Sequence, residues 1–431
     1  MIMKRFYHAI LACGVFAAVV AAVSCTKDAT GGGGGGYDGE PEVNHDMDGI
    51  LRRNYLWNEE YATLSPDFGL PYDEFLDGVL MRMRTNDLDK KFRNGRWQLY
   101  SNIQRLSPVS RTALSADIDS QFPKEPVYGF GAVSLAIISY TDAGKETGQY
   151  GFAVMAVYPD SPMARAGLGR GTIINQVDGQ WITAGNLNTV YSKLLAPNGA
   201  ATLSVADNQG GFGVSEHKLT AELIYENPVL YRDVLEYGEH KIGYLVYASF
   251  DAAFDGELLD ALQTFKDAVI NDLILDLRLN GGGYVMSSRM LASCIAGARC
   301  EGQVFQYYRY NDARMEYPEM TAAETGQAYD ESKERFYEEF IYGDYRGADL
   351  RGYALDLPRL YVIVSSGTAS ASEAVVNALR GIGLEVVLVG QKTNGKNVGM
   401  EGVYLEDGAY EYLFMPVSFQ GYNARLETVD P

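Results

Sequence analysis

From Tyr231 to the end of the chain, segments with a strand pattern alternate with segments with a helix pattern. Parallel strands need a crossover connection, usually a helix, so this alternation is typical of βαβ units. We therefore predict a mixed α/β domain over residues 231–431. Strands are predicted at residues 241–250, 272–279, 360–364 and 385–390, and helices at residues 257–270, 284–298 and 370–379. The Tyr- and Glu-rich residues 301–356 interrupt this pattern and are not assigned by it.

Three of the predicted strands end in loops of small and polar residues, and in βαβ folds such loops carry the working groups. The glycine loop is residues 276–283, Asp-Leu-Arg-Leu-Asn-Gly-Gly-Gly. The serine loop is residues 366–373, Ser-Gly-Thr-Ala-Ser-Ala-Ser-Glu. The lysine loop is residues 391–396, Gln-Lys-Thr-Asn-Gly-Lys. The candidate chemistry of the α/β domain is therefore concentrated in these three loops.

Together the three loops resemble the C-terminal processing peptidases, also called tail-specific proteases. The pattern of that family is DLR-x-N-x-GG, then S/T-A-S-A-S-E, then a Gly-Lys pair after the next strand. The resemblance extends over nearly the whole chain. It implies a crotonase-like α/β protease core with an inserted PDZ-like, β-rich domain and an N-terminal helical domain. It also implies a Ser–Lys serine endopeptidase that cleaves proteins near their C-termini, with no cofactor and no metal.

The resemblance implies roles for individual residues. Ser370, the middle serine of the TASASE run, corresponds to the nucleophile, and Lys396 corresponds to the general base. The backbone N–H of Ala371 would supply half of an oxyanion hole. Gly282 or Gly283 would supply the other half, because the lack of a side chain lets the backbone approach the substrate.

Elementary chemistry supports a lysine as the base. A serine hydroxyl is a poor nucleophile unless a base takes its proton. His45, His217 and His240 follow the leader, and none of them lies in a glycine-rich loop of the α/β domain. A lysine can take the proton if burial lowers its pKa towards neutrality, and a Ser–Lys pair is a known variant of the catalytic triad. Lys396 follows Ser370 by 26 residues, enough for one helix and one strand to return the chain to the same place.

Each loop also has a purely structural interpretation. The run from Ser370 to Glu373 is a capping box, although a serine at a helix N-terminus can be both a cap and a nucleophile. The end of the lysine loop can be a plain turn with a solvated Lys396. The glycine loop can be a helix entry that binds phosphate, but the chain has no GxxxxGK(S/T) motif. Ser372 is the second choice for the nucleophile, since two residues further along a helix it faces away from Ser370.

One position departs from the family pattern. Many members have a Gln four residues after the catalytic lysine, where its amide oxygen orients the amine, and this chain has Met400 there. A thioether is only a weak acceptor. Either Asn394 or Asn397 orients Lys396 instead, or the lysine is loosely held and the enzyme is slow. We predict a dyad whose rate rises through neutral pH as the lysine loses its proton, with Met400→Gln equal or faster.

The region 127–226 predicts short strands and turns. Its runs Ser-Pro-Met-Ala-Arg-Ala-Gly-Leu and Gly-Thr-Ile-Ile-Asn-Gln-Val-Asp-Gly resemble the PDZ domains of bacterial proteases. In such domains a glycine-rich loop offers backbone N–H groups to the terminal carboxylate of a peptide, which adds as a β-strand. The corresponding substrate-binding loop here is Gly129, Phe130, Gly131 and Ala132. Taken alone, this loop is typical of a plain turn.

The N-terminal part predicts a leader, a tether and helices. In residues 1–24, Lys4 and Arg5 precede an apolar run too short to span a membrane, which is typical of a signal peptide. The end of this run resembles a lipoprotein cleavage site and implies a lipid on Cys25; the alternative is a conventional signal peptide with an incidental cysteine. Residues 25–41 contain a glycine run that predicts a flexible tether. Residues 42–110 show apolar residues at three-and-four spacing and predict a helical domain.

The net charge and the cysteine content limit the kinds of partner that this protein is expected to bind. The formal net charge of -20 argues against a nucleic-acid partner, because phosphate binding needs a clustered basic face. Cys294 and Cys300 lack metal-site spacing and are too few for a disulfide framework, so we assign them no function. The predicted partners are protein or peptide substrates with free C-termini, and a membrane contacted through the lipid anchor. The predicted location is the cell envelope, facing the periplasm or the outer membrane.

A rival function comes from another class of protein. A catalytically silent, PDZ-type peptide-binding envelope lipoprotein would have the same domain order. The presence of Ser370, Lys396 and the glycine loop argues against it. An acyl-CoA enzyme on a related βαβ scaffold would need a cytoplasmic location, which the leader contradicts.

Overall fold

The computed structural model describes residues 41–93, 96–106, 122, 124, 126–142, 145–195, 199–206, 215–408 and 410–429. The predicted leader and nearly all of the tether, including Cys25, lie outside the described residues. No helix in the described part of the chain is long and apolar enough to cross a membrane.

The N-terminal segment begins with helices and continues with strands. Its elements are α1 (Glu42–Asn54), α2 (Asn58–Ala62), α3 (Tyr72–Leu80), β1 (Lys90–Arg93), β2 (Arg96–Leu99) and β3 (Asn102–Arg105). The prediction of a helical domain over residues 42–110 is therefore wrong for residues 90–93, 96–99 and 102–105, which form strands. β1 and β2 pair in antiparallel register, and the two residues between them are Asn94-Gly95. That dipeptide is the strongest short-range hairpin signal, and it outweighs the helical spacing upstream.

The middle region is rich in strands. Its elements are β4 (Val127–Gly129), β5 (Ala132–Asp142), β6 (Lys145–Val157), α4 (Pro162–Arg165), β7 (Ile173–Val177), β8 (Gln180–Thr183), α5 (Leu187–Leu195), β9 (Ala200–Val205), β10 (Ser215–Thr220) and β11 (Glu222–Ile224). Six of the strands form an antiparallel sheet in the order β10-β9-β7-β8-β6-β5, and β4 pairs with β11. The sheet and α5 enclose a separate apolar cluster around Phe130, Phe152 and Leu203.

The remaining elements belong to the predicted α/β domain. They are β12 (Val229–Tyr237), β13 (His240–Tyr247), α6 (Asp255–Asp267), β14 (Asp272–Asp276), α7 (Val285–Ala296), β15 (Val304–Arg309), α8 (Asp312–Glu316), α9 (Pro318–Thr325), β16 (Ala328–Asp330), β17 (Arg335–Glu339), β18 (Asp344–Tyr345), β19 (Ala348–Asp349), β20 (Arg359–Val364), α10 (Ala371–Gly381), β21 (Glu385–Gly390), β22 (Val398–Met400), β23 (Val403–Asp407), β24 (Tyr410–Met415) and β25 (Val417–Tyr422).

The main sheet of this domain has the order β12-β13-β14-β20-β21. β13, β14, β20 and β21 are parallel, and β12 pairs antiparallel at one edge. α6, α7 and α10 bury their apolar faces in the core that this sheet forms. The predicted βαβ architecture is confirmed. The glycine, serine and lysine loops follow β14, β20 and β21, so they meet at the carboxyl edge of three adjacent parallel strands.

The unassigned residues 301–356 contribute to a second sheet. Its order is β16-β17-β15-β25-β22, so strands of the insertion pair with strands from the end of the chain. Tyr308, Tyr310, Phe336 and Phe419 form its apolar cluster. The insertion is therefore part of the folded domain.

The N-terminal segment shares its apolar core with the end of the chain. Met47 of α1 and Phe75 of α3 belong to the same buried cluster as Phe414 of β24. β3 also pairs antiparallel with β24, with Ile103 opposite Phe414. This packing brings residues 90–105 next to the chain that follows the lysine loop.

Candidate active site

The glycine loop is held against the chain that follows β13. The N–H of Phe250 donates to the carbonyl of Gly282 (2.9 Å), and the N–H of Tyr284 donates to the carbonyl of Phe250 (2.8 Å). A Cβ atom on Gly283 would lie 2.1 Å from the Phe250 carbonyl oxygen. Gly283 also has a φ of +135°, which disfavours any other residue. These contacts explain why the loop needs glycine at this position.

The two glycines predicted as oxyanion donors differ in their N–H groups. The N–H of Gly282 donates to the side-chain oxygen of the buried Asn280 (2.9 Å), so it is already used. In the described part of the chain, the N–H groups of Gly283 and Ala371 have no hydrogen-bond acceptor. A Cβ on Gly282 would lie 2.7 Å from the Cβ of Ser370 and 3.1 Å from the nitrogen of Ala371. The geometry therefore favours Gly283, with Ala371, over Gly282.

The serine loop is fastened to the glycine loop. The buried Thr368 hydroxyl donates to the carbonyl of Leu277 (2.8 Å). The N–H of Ala369 donates to the carbonyl of Asn280 (3.3 Å). These bonds fix the backbone immediately before Ser370 in relation to the glycines.

Ser370 has a strained backbone. Its φ is 57° and its ψ is -119°, in a region that residues with a side chain rarely adopt. Such strain persists where the surroundings impose it, and it clusters at functional sites. Ser370 is the N-cap of α10, and its half-buried side chain lies beside the positive end of the helix. A hydroxyl at a helix N-terminus is placed where the helix dipole favours a developing negative charge.

Ser372, the second choice for the nucleophile, is used structurally. Its side chain is fully buried, and its hydroxyl donates to the carbonyl of Asn280 at 3.1 Å. A hydroxyl without access to solvent cannot meet a protein substrate unless the site opens. The burial therefore favours Ser370.

Glu373 joins the serine loop to the lysine loop. Its carboxylate is 3% exposed and accepts three backbone N–H groups. The donors are Ser370 (2.9 Å), Gly395 (2.7 Å) and Lys396 (2.9 Å). The bond from Ser370 is half of the predicted capping box, and the other two cross to the lysine loop. Sequence reasoning assigned Glu373 to the cap alone, and the same motif was the signal for its wider role.

Ser370 and Lys396 line the same cleft. Its walls also include Asn377 of α10, Val398 of β22 and Phe419 of β25. Both candidate side chains are half-buried. The structure thus brings together the serine and the lysine that the sequence predicted.

Tyr100 lies on the lysine, a contact that sequence reasoning missed. The ammonium nitrogen of Lys396 is 4.9 Å from the centroid of the Tyr100 ring. The Tyr100 hydroxyl donates to the side-chain oxygen of the buried Asn394 (2.6 Å). Asn394 was a candidate to orient the lysine, and its amide oxygen bonds the tyrosine. The other candidate, Asn397, is buried.

Met400, at the usual Gln position, packs against the cluster shared with the N-terminal segment. The side-chain nitrogen of Asn102 lies 4.0 Å from its sulfur. Its surroundings are thus largely apolar.

The loop of residues 129–132, which was predicted to bind a substrate carboxylate, is closely packed. Gly129 ends β4, and the side chain of Phe130 is completely buried. Gly131 has a φ of +96°, and a Cβ there would lie 2.1 Å from the Cβ of Ser161. Ala132 begins β5. Phe130 therefore contributes packing, and any contact with a ligand would come from backbone groups.

Cys294 and Cys300, to which the sequence assigned no function, are both buried. Burial raises the pKa of the Cys300 thiol to about 11 and that of Cys294 still further. The thiolate is the reactive form of cysteine, so neither thiol is suited to be a nucleophile. Across the residues that the structure describes, no group of three or more His, Cys, Asp or Glu side chains could hold a metal ion.

Comparison with known proteins assigns the α/β domain. Residues 241–417, which include all three loops, match the model of Peptidase family S41. The chain is 27% identical over 299 residues to carboxyl-terminal-processing peptidase 1, chloroplastic, of Arabidopsis thaliana, covering 69% of this chain and 53% of that protein. It is 27% identical over 256 residues to a carboxyl-terminal-processing protease of Synechocystis, covering 59% of this chain and 52% of that protein. The chain thus spans about half the length of these relatives.

A solved structure shares the fold. The crystal structure of a candidate S41 protease from Bacteroides fragilis superposes with a TM-score of 0.65 at 23% identity. The superposition covers 88% of this chain and 86% of that chain. Residues 241–417 are thus a Peptidase family S41 domain, and the Bacteroides fragilis structure shows that this chain shares the fold of that protein.

Proposed function

We propose that this protein is a serine endopeptidase that cleaves protein substrates near their C-termini through a Ser370–Lys396 dyad. One observation carries the proposal: the strained Ser370 and Lys396 line one cleft, and Glu373 bonds the backbone of both. The relatives named as carboxyl-terminal-processing enzymes support cleavage near the C-terminus.

The chemistry follows from the arrangement of the three loops. The neutral amine of Lys396 takes the proton from the Ser370 hydroxyl as its oxygen attacks the scissile carbonyl carbon. The N–H groups of Gly283 and Ala371 stabilise the oxyanion that forms. When the intermediate collapses, the lysine ammonium returns the proton to the leaving amine, and the acyl group stays on Ser370. Water, deprotonated by Lys396, then releases the acyl group and restores the serine.

Tail recognition is the second part of the proposal. We infer that residues 127–226 form a PDZ-like domain inserted before the protease core. β5 is at the edge of its sheet, pairs with β6 in the described part of the chain, and has α5 packed beside it. An edge strand next to a helix can accept a peptide as an added strand. The half-exposed Ile137 on β5 would favour tails with apolar residues.

Mass analysis of casein digests tests the activity. Protein from residue 41 onward, without leader and tether, is expected to cleave this unstructured substrate. A peptide with an apolar tail is expected to be bound and cut faster as the free acid than as the C-terminal amide, because the amide removes the carboxylate that the loop 129–132 would accept. Equal rates for acid and amide would remove the PDZ-like domain from substrate selection. Tail binding without cleavage at any pH would favour the silent peptide-binding alternative.

Location is the last part of the proposal. We propose that the mature protein is held at the cell envelope by a lipid on Cys25, on the strength of the leader and the small residues before that cysteine. Cys25→Ser is expected to move an active protein from the membrane fraction to the soluble fraction. A variant that stays with the membrane would contradict the lipid anchor.

A further inference from the structure

We propose that Tyr100 is a positioning residue for Lys396, so that the N-terminal segment completes the active site of the protease core. The chemical role rests on the proposed Ser–Lys mechanism, whereas the contact itself is independent of it. Tyr100 comes from between β2 and β3, nearly 300 positions before the lysine. The sequence predicted residues 90–105 to be part of a helical domain, and none of its predicted site residues lies there.

Three contacts bind this segment to the lysine loop. The face of the Tyr100 ring lies 4.9 Å from the Lys396 ammonium, within cation–π range. The hydroxyl of the same tyrosine donates to the Asn394 side chain at 2.6 Å. The ammonium of Lys91 donates to the Asn394 backbone carbonyl at 2.7 Å. One tyrosine therefore contacts both the candidate base and the residue two positions before it.

Tyr100 is itself rigidly held by Asp89. The N–H of Tyr100 donates to the Asp89 carbonyl (2.8 Å) and to its carboxylate (3.0 Å). The fully buried Asp89 carboxylate also accepts the Ser101 N–H and hydroxyl, both at 2.7 Å, and the Tyr55 hydroxyl at 2.7 Å. Burial raises the pKa of the Asp89 carboxyl, while the hydrogen bonds from Ser101 and Tyr55 act in the opposite direction. Ser101 in turn accepts the N–H of Val417 (2.9 Å), which ties the segment to β25.

The Tyr100 contact compensates for Met400, which occupies the position where many family members have a Gln that orients the lysine. A thioether in an apolar cluster gives the lysine amine little direction. An aromatic face attracts the ammonium without accepting a hydrogen bond from it in a fixed direction. When Lys396 gives up its proton, this attraction weakens, and the amine is free to accept the proton of Ser370. Tyr100 thus holds the resting lysine in the cleft.

The Tyr100 ring also affects the charge state of Lys396. The ring stabilises the charged form of Lys396 and so moves the rise in rate to higher pH. Other charged groups lie at this loop, including Lys392 within it. The Glu373 carboxylate, which accepts the Lys396 N–H, also favours the ammonium, and the Lys91 ammonium opposes it. A change at Tyr100 leaves all of these in place, so its effect can be measured separately.

The test compares Tyr100→Leu, which removes the aromatic face but keeps an apolar side chain, with Tyr100→Phe, which keeps the face and loses the hydroxyl. Tyr237→Leu is the matched control, because Tyr237 is 79% exposed on β12. For Tyr100→Leu we expect the midpoint of the pH–rate profile to fall by about half a unit or more and kcat to fall roughly tenfold. Tyr100→Phe is expected to keep the wild-type midpoint. A midpoint unchanged in Tyr100→Leu would overturn the proposal, whatever happens to kcat.

A second measurement does not depend on cleavage. In protein carrying Ser370→Ala and ¹³C-labelled lysine, the titration of the Lys396 side chain is followed by NMR, and Lys396→Arg identifies its signal. Adding Tyr100→Leu is expected to lower the titration midpoint by about half a unit or more. The same midpoint with and without Tyr100→Leu would overturn the inference, even if the wild-type protein cleaves casein. A shifted midpoint, combined with a wild-type protein that cleaves no substrate, would overturn the proposed function and leave the contact standing.

Discussion

Ser370→Ala is expected to lower kcat/KM for casein cleavage by about 10⁴-fold or more, because no acyl-enzyme can form without the hydroxyl. The residual rate would come from substrate binding and the oxyanion donors alone. Alanine keeps a Cβ at the same strained backbone position, so the fold is expected to persist. Initial rates of casein digestion and a thermal unfolding curve would separate lost chemistry from lost structure.

Ser372→Ala is the matched control for this experiment. The buried Ser372 hydroxyl donates to the Asn280 carbonyl, which also accepts the N–H of Ala369. Removing one neutral hydrogen bond is expected to cost about 1 kcal/mol of stability and to leave the rate within a few-fold of wild type. The opposite result, full activity in Ser370→Ala and none in Ser372→Ala, would mean that the nucleophile is assigned to the wrong serine.

Lys396→Ala is expected to reduce cleavage by a comparable factor, since a serine hydroxyl without a base is a poor nucleophile. In the wild type the amine must be neutral to take the proton, so the rate should rise with pH as Lys396 deprotonates. A lysine base should titrate near roughly 7 to 8, so rates measured from about pH 5 to 9 cover the transition. A wild-type rate that is flat over this range would count against Lys396 as the base.

The Glu373→Gln variant tests whether the hydrogen bonds of Glu373 position the proposed pair Ser370 and Lys396. Glutamine has one acceptor oxygen where the carboxylate has two, so it cannot keep all three bonds from Ser370, Gly395 and Lys396 in their present geometry. Both reacting groups remain, but their relative position loosens, and a rate loss of roughly a hundredfold is expected. Asn377→Ala, which changes another residue of the same cleft, is the comparison variant. A Glu373→Gln enzyme as fast as Asn377→Ala would show that the bridge does not position the dyad.

Local sequence patterns predicted much of the α/β domain. The alternation of apolar strands and amphipathic helices was enough to predict the parallel sheet, because each element shows its burial in its own periodicity. The residues following β14, β20 and β21 were small or polar, which located the three loops. Ser370 at the start of α10 could be predicted from the capping box and the family resemblance together.

Other features needed the tertiary structure. The strands at residues 90–105 were missed because a helical spacing upstream hid the Asn94-Gly95 hairpin signal. The choice of Gly283 over Gly282 depends on a bond from Gly282 to Asn280. The role of Glu373 depends on two N–H groups more than 20 positions away.

Tyr100 shows the same limit most clearly. Its contact with Lys396 exists because Asp89 holds Tyr100, β3 pairs with β24, and the apolar faces of α1 and α3 pack against the end of the chain. Periodicity reports which face of an element is buried and does not report which distant element covers it. The candidate residues for the chemistry could therefore be chosen from the sequence itself. Only long-range packing decided which groups orient them, because those contacts join segments about 300 residues apart.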